Sequence, residues 1–150
     1  MTAEQMWKES GFTGEYEAWG FGDDTDGLAK LVAEGKKRAT SSAYDLYELD
    51  GEPAPKAGDV SVILDSKDNA VCIIKDTKVY VEIFRDVSAH HAALEGEGDL
   101  SLEYWRGVHR DFFTAELEEY GLKFDENIPV LCEEFEVIYP IKNRLTKPVF

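Results

Sequence analysis

Between Asp59 and Phe84 the chain carries three short β-prone runs separated by very little sequence. Asp59–Leu64, Ala70–Ile74 and Lys78–Phe84 are rich in Val, Ile and aromatic residues, which suit a pleated, half-buried surface. Ser66-Lys67-Asp68-Asn69 and Lys75-Asp76-Thr77 stand between them and read as turns. Spacers this short predict consecutive antiparallel strands. In the third run Val79, Val81 and Ile83 alternate with Tyr80, Glu82 and Phe84, the period of a sheet or barrel strand.

Helical signals flank this β region. Residues 3–10 predict a short helix with Met6 and Trp7 on its apolar side. From Glu17 to Asp24, glycines beside aromatics predict a turn where the backbone passes close to something. Residues 25–35 predict a helix with Leu28, Leu31 and Val32 in period, Asp24 or Thr25 as its cap and Gly35 at its end. Residues 38–41 read as extended and 42–49 as another short helix. Residues 88–95 predict a short helix, 96–99 a tight loop, and 101–120 a long helix capped by Asp99 or Ser101. Leu102, Trp105, Val108, Phe112 and Ala115 mark that helix's apolar period. Pro129 to Tyr139 reads as a closing strand. Short strands interrupted by helices in this order predict an α+β fold, a small β-barrel with flanking helices. With no repeat, low-complexity segment or linker, the chain is expected to form a single domain over residues 1–150.

Composition narrows the partners. Hydrophobic residues make up 43% of the chain, enough for a core. No apolar run approaches the roughly 20 residues that span a bilayer. The first residues lack a basic region backed by an apolar stretch, so a cytoplasmic protein with no membrane partner is expected. Cys72 and Cys132 sit in apolar runs and read as buried free thiols. His90, His91 and His109 make no recognisable metal set with them; neither a metal nor a cofactor is expected. With 16 basic against 31 acidic residues the net charge is -15. Phosphate-backbone binding relies on Lys and Arg displacing counterions. The charge therefore leans toward a small ligand, or toward short RNA at one basic patch.

Two stretches carry the candidate chemistry. Gly35-Lys36-Lys37-Arg38-Ala39-Thr40-Ser41-Ser42 sets three basic residues before a run of hydroxyls. A solvated helix end accounts for the cations equally well, since they complement the helix dipole. It is not a phosphate loop, because the preceding glycines are missing. The second stretch, His90 to Asp99, separates Glu95, Glu97 and Asp99 by glycines just before the long helix. Acids favour a helix start, which accounts for Asp99 more readily than for the other two. Arg106 and Arg110 lie one turn apart and could face one ligand, or pair with Glu103 and nearby acids.

These residues together resemble the ASCH family, which has a PUA-like β-barrel fold. The matching features are Gly35-x-Lys37-x-x-Thr40 and the stretch from His91-Ala92 through Glu95-Gly-Glu97-Gly-Asp99 to Trp105-Arg106. Trp19-Gly20-Phe21-Gly22-Asp23 and Cys132-Glu133-x-Phe135-x-Val137-x-Tyr139-Pro140 agree more weakly. The resemblance implies a cleft serving RNA binding or RNA metabolism, with one branch hydrolysing N4-acetylcytidine through a Lys, a Thr and a Glu and another described as ribonuclease-like. It carries Lys37 and Thr40 over to that set. The Glu falls on Glu95 counted from His91-Ala92, or near Glu97 counted back from Ser101-Leu102, in a loop longer than that branch has.

The expected chemistry needs no metal. Burial disfavours an ammonium and can make a lysine a base. Such a base activates a hydroxyl for attack on an amide, a glutamate relays the proton, and Arg106 or backbone amides hold the oxyanion. The remaining candidate ligand contacts are Trp19, Phe21 and Tyr44 for stacking, Lys36, Arg38 and Ser41 beside the lysine motif, and Asp99, Trp105 and His109 beyond the acidic loop. The leading reading is a metal-independent amidohydrolase of a modified nucleoside. The alternatives are an RNA-binding module, with or without ribonuclease activity, and a non-catalytic ligand-sensing domain.

Overall fold

A computed structural model describes residues 1–141. Lys142, Arg144 and Lys147, the basic tail that would favour RNA, lie outside the described residues. The chain divides into two compact units. One comprises Met1–Lys37, Ala57–Thr77 and the described residues from Phe135 on; the other comprises Arg38–Lys56 and Lys78–Glu134.

In the first unit, helix α1 (Ala3–Ser10) starts with a reciprocal cap. The Gln5 amide donates to Thr2 Oγ1 at 3.1 Å, and the Thr2 amide donates to Gln5 Oε1 at 2.8 Å. Strand β1 (Glu17–Trp19) is followed by α2 (Thr25–Ala33), whose cap is Asp24 accepting from the Gly27 amide. Gly35 leaves α2 in the left-handed region, at φ 77°, as a helix-ending glycine should. Strand β3 (Val60–Leu64) pairs parallel with β1 and antiparallel with β4 (Ala70–Ile83). Val32, Ile63, Cys72 and Phe135 form one core cluster here, and Met6, Val62 and Ile73 form a second.

In the second unit, β2 (Ala39–Ala43) pairs antiparallel with β5 (Pro129–Tyr139), with Ser41 opposite Cys132. Helix α3 is Asp45–Leu49, α4 is Ala89–Glu95 and α5 is Leu102–Glu118. Their apolar faces bury Phe84, Trp105, Phe113, Leu117, Val130 and Cys132 in one cluster. Strands β4 and β5 run from one unit into the other, and the hydrogen-bonded strand order is β1-β3-β4-β5-β2. The antiparallel strands and flanking helices expected of an α+β chain are present, and both cysteines are free and buried.

Four local expectations are corrected. Lys75-Asp76-Thr77 is not a turn, because β4 runs through it. Lys75 pairs with Val60, and the Asp76 amide donates to the Asp59 carbonyl at 2.9 Å, so the ladder continues where the sequence turns polar. Glu17–Trp19 is a strand rather than part of a turn; a three-residue edge is too short to show a period. Gly20 does pass close to another chain segment, since a Cβ there would lie 3.0 Å from the Leu64 carbonyl oxygen. Ser42 and Ala43 belong to β2, opposite Leu131 and Val130, and not to the helix after them. On α5 the buried stripe is Trp105, Phe113 and Leu117, whereas Phe112 is exposed. On β4 Val81 is exposed, while Tyr80 packs on the core and Phe84 is fully buried in a 3-10 turn (Phe84–Asp86).

Candidate functional site

Glu95 ends α4, which Ser88 starts by accepting the His91 amide at 3.0 Å. Gly96 then turns the chain at φ 71°. Four residues apart, His91 and Glu95 share one helix face, and both are buried, at 0% and 2% exposure. Ser41 reaches the same point from β2, and Trp105 and His109 reach it from α5.

Glu95 Oε2 is the hub. The Ser41 hydroxyl donates to it at 2.5 Å and the Trp105 indole Nε1 at 2.6 Å, while His91 Nε2 lies 2.9 Å away. Ser41 Oγ is also 2.8 Å from His91 Nε2. The other oxygen, Oε1, faces His109 Nε2 at 3.3 Å. An indole N–H can only donate, so this carboxyl is held as an acceptor, the condition under which a buried charge is tolerated.

A shallow recess adjoins the hub, lined by Ala92, Glu95, Glu97, Ser101, Tyr104, Trp105 and His109. Its rim is built by the glycine-spaced acidic loop. Asp99 accepts the Ser101 amide at 3.0 Å, and Ser101 Oγ accepts the Tyr104 amide at 3.0 Å as the α5 cap. The Ser101 side chain and then its amide hold the Asp99 carboxyl below the usual carboxylate range. Gly98 stands at φ 59°, and a Cβ there would meet the Tyr104 ring at 2.5 Å. Beneath the hub, burial and then the charge of Glu95 push the Cys132 thiol up to about 12. Burial likewise pushes the Tyr80 hydroxyl up to about 12.

The structure brings Glu95, Ser41, Trp105 and His109 into one hydrogen-bonded group and sets Glu97 on the recess beside them. His91, at the centre of the group, was not singled out as a site residue; its place four positions before Glu95 was the available signal. Thr40 is half-buried, and no hydrogen bond of its side chain is found among the described residues. Alternation along β2 directs Thr40 away from the face that Ser41 presents to Glu95. Lys37, in the first unit, is 2% exposed, with its ammonium 5.4 Å from the Phe21 ring centroid; Trp19 meets Phe21 edge-on at 4.9 Å. Lys36 is exposed beside Glu34, 3.6 Å away. Arg38 and Tyr44 are exposed, and the Arg38 amide donates to the Leu94 carbonyl at 2.7 Å. Arg106 and Arg110 do not pair with Glu103. Arg106 donates to the Arg85 carbonyl at 2.8 Å, and Arg110 binds Glu126 at 2.6 Å. Among the described residues no group of three or more His, Cys, Asp or Glu is arranged to hold a metal. Among them, too, no helix is long and apolar enough to cross a membrane.

The family model of the ASCH domain matches residues 17–139. A crystal structure of an ASCH domain from Lactobacillus crispatus is 31% identical with a TM-score of 0.84, covering 91% of this chain and 93% of that one. A protein from Enterococcus faecalis is 34% identical with a TM-score of 0.78, covering 90% of this chain and 88% of its own. A hypothetical protein 18% identical, with a TM-score of 0.53 over 83% of this chain and 100% of its own, shares the fold alone. No curated protein matches the chain.

Proposed function

The chain belongs to the ASCH domain family and has its PUA-like α+β fold, and we propose that it is a metal-independent amidohydrolase of a modified nucleoside, N4-acetylcytidine being the type. The observation that carries the reading is the buried Glu95 carboxyl, fixed by Ser41, His91 and Trp105 at the wall of a small recess. Net charge of -15 supports a nucleoside-sized ligand over long RNA.

The roles of Lys37 as base and Thr40 as nucleophile rest on the family resemblance. Attack of a hydroxyl oxygen on the acetyl carbon forms a C–O bond. The C–N bond then breaks, and the exocyclic nitrogen leaves as the amine, taking a proton. Water cleaves the resulting ester, releasing acetic acid and restoring the hydroxyl. The protein acts in the cytoplasm on a free nucleoside, without a membrane partner.

The test is release of cytidine from N4-acetylcytidine by wild type, Lys37→Ala, Thr40→Val and Glu95→Gln. Loss in the variants supports the reading; equal release by wild type and Lys37→Ala defeats it. The second reading, short-RNA binding, draws on the exposed Lys36 and Arg38. Electrostatic contacts are strongest at low salt, so absence of RNA binding there removes it.

A further inference from the structure

We infer that His109 and Glu95 hold one proton between them, and that His109 presents this proton to the recess as the acid of the site. His109 Nδ1 lies 2.9 Å from the Trp105 carbonyl oxygen. A carbonyl only accepts, so Nδ1 carries a hydrogen. In a neutral imidazole the other nitrogen, Nε2, would then be a bare lone pair. Yet Nε2 faces Glu95 Oε1 at 3.3 Å. Two bare lone pairs at that distance repel, and a hydrogen on one of the two atoms removes the repulsion.

The surroundings place that hydrogen on His109. Oε2 of Glu95 already takes hydrogen bonds from Ser41 and Trp105, with His91 Nε2 beside them. Donors to the charged form stabilise the carboxylate. The His109 ring stacks on the Trp105 indole, centroids 4.3 Å apart and planes 16° from parallel, where an imidazolium gains from the π face. His91 fits the neutral state. With Nε2–H shared between Ser41 and Glu95, its buried Nδ1, which has no hydrogen-bond partner, is a lone pair rather than a stranded N–H. The titratable groups around the recess are thus Glu95 and His91 from α4, Glu97 from the loop, and Tyr104 and His109 from α5.

Of the two histidines only His109 opens outward, with its side chain 12% exposed against 0% for His91. In the proposed amide hydrolysis, on which this role rests, the leaving exocyclic nitrogen takes the proton from Nε2. His109 is left neutral with Nδ1–H still on the Trp105 carbonyl, and solvent water returns the proton.

The experiment is long-range 1H–15N NMR of the full chain labelled at histidine and at the glutamate carboxyl carbons, at pH 7, assigned with His109→Gln and Glu95→Gln. Two protonated ring nitrogens on His109 beside an ionised Glu95 support the assignment, and Nδ1–H alone with a protonated Glu95 carboxyl overturns it. A neutral His109 beside an ionised Glu95 overturns it. In Glu95→Gln, His109 is expected to drop to the neutral Nδ1–H form; should that variant not fold, the wild-type spectrum decides alone. With N4-acetylcytidine, His109→Gln is expected to lower kcat about 100-fold, the low end for acid catalysis, with KM within about twofold. An unchanged kcat overturns the acid role. Absence of cleavage by wild type defeats the hydrolase reading and with it the acid role, while the proton assignment stands or falls on the spectrum.

Discussion

Trp105 and Glu95 are joined by a 2.6 Å hydrogen bond from the indole nitrogen to a carboxyl oxygen that three side chains surround. The bond ties the last residue of α4 to the first turn of α5 across the acidic loop. It makes the same tryptophan a core residue, 2% exposed, and a wall of the recess.

Removing either partner strands the other. Glu95→Ala leaves the indole N–H and the Ser41 hydroxyl facing a void. It is expected to cost about 3–5 kcal/mol, as when one member of a buried charged set is removed. Trp105→Phe keeps most of the ring but deletes the donor, at about 1–3 kcal/mol. Urea denaturation of both singles and the double should show a coupling above about 0.5 kcal/mol. Additive effects would mean that the bond is not formed in solution.

Ser41 and Thr40 separate two sources of a nucleophile. Ser41→Ala removes a donor from Glu95 and is expected to lower stability by about 1 kcal/mol. Thr40→Val, whose hydroxyl has no hydrogen bond among the described residues, should change stability by less than about 0.5 kcal/mol. If Thr40→Val retains full amide cleavage while Ser41→Ala loses it, the hydroxyl nucleophile is Ser41.

Gly98→Ala tests the recess wall. The new Cβ would meet the Tyr104 ring at 2.5 Å, on a backbone at φ 59°. The ring must swing aside, and the left-handed residue adds a cost of about 1 kcal/mol. Tyr104 ring resonances should shift, and any ligand of the recess should bind differently. An unchanged Tyr104 spectrum would show that the ring is not seated against Gly98.

Alkaline pH tests the buried thiol. Burial and then the Glu95 charge raise Cys132 from an ordinary 9.0 to about 12. The folded protein therefore holds this proton more tightly than the unfolded chain. Its stabilising contribution is complete below pH 9.0 and is lost as pH rises through about 12. With Cys72 also buried, neither thiol should react with a disulfide reagent at pH 8 until the protein is unfolded. Fast reaction in the native state that persists in Cys72→Ala would place Cys132 at the surface.

Chain-local physics decided much of this molecule. The period of Leu28 and Val32, the caps at Thr2 and Ser101 and the left-handed Gly35 all act within a few residues, so α1, α2 and α5 are readable without a fold. The pairing of a lysine motif with the glycine-spaced acidic loop was likewise a matter of residue order, and it marked the family. The strand at Glu17–Trp19 and the passage of β4 through Lys75-Asp76-Thr77 could not be read this way, because partners remote in sequence supply their hydrogen bonds. The same holds for the site. Ser41, His91, Glu95, Trp105 and His109 span three elements. Their order in the chain says nothing of which oxygen each donor meets. Only packing put Ser41 rather than Thr40 on Glu95, set a buried histidine against both, and brought His109 to the other carboxyl oxygen.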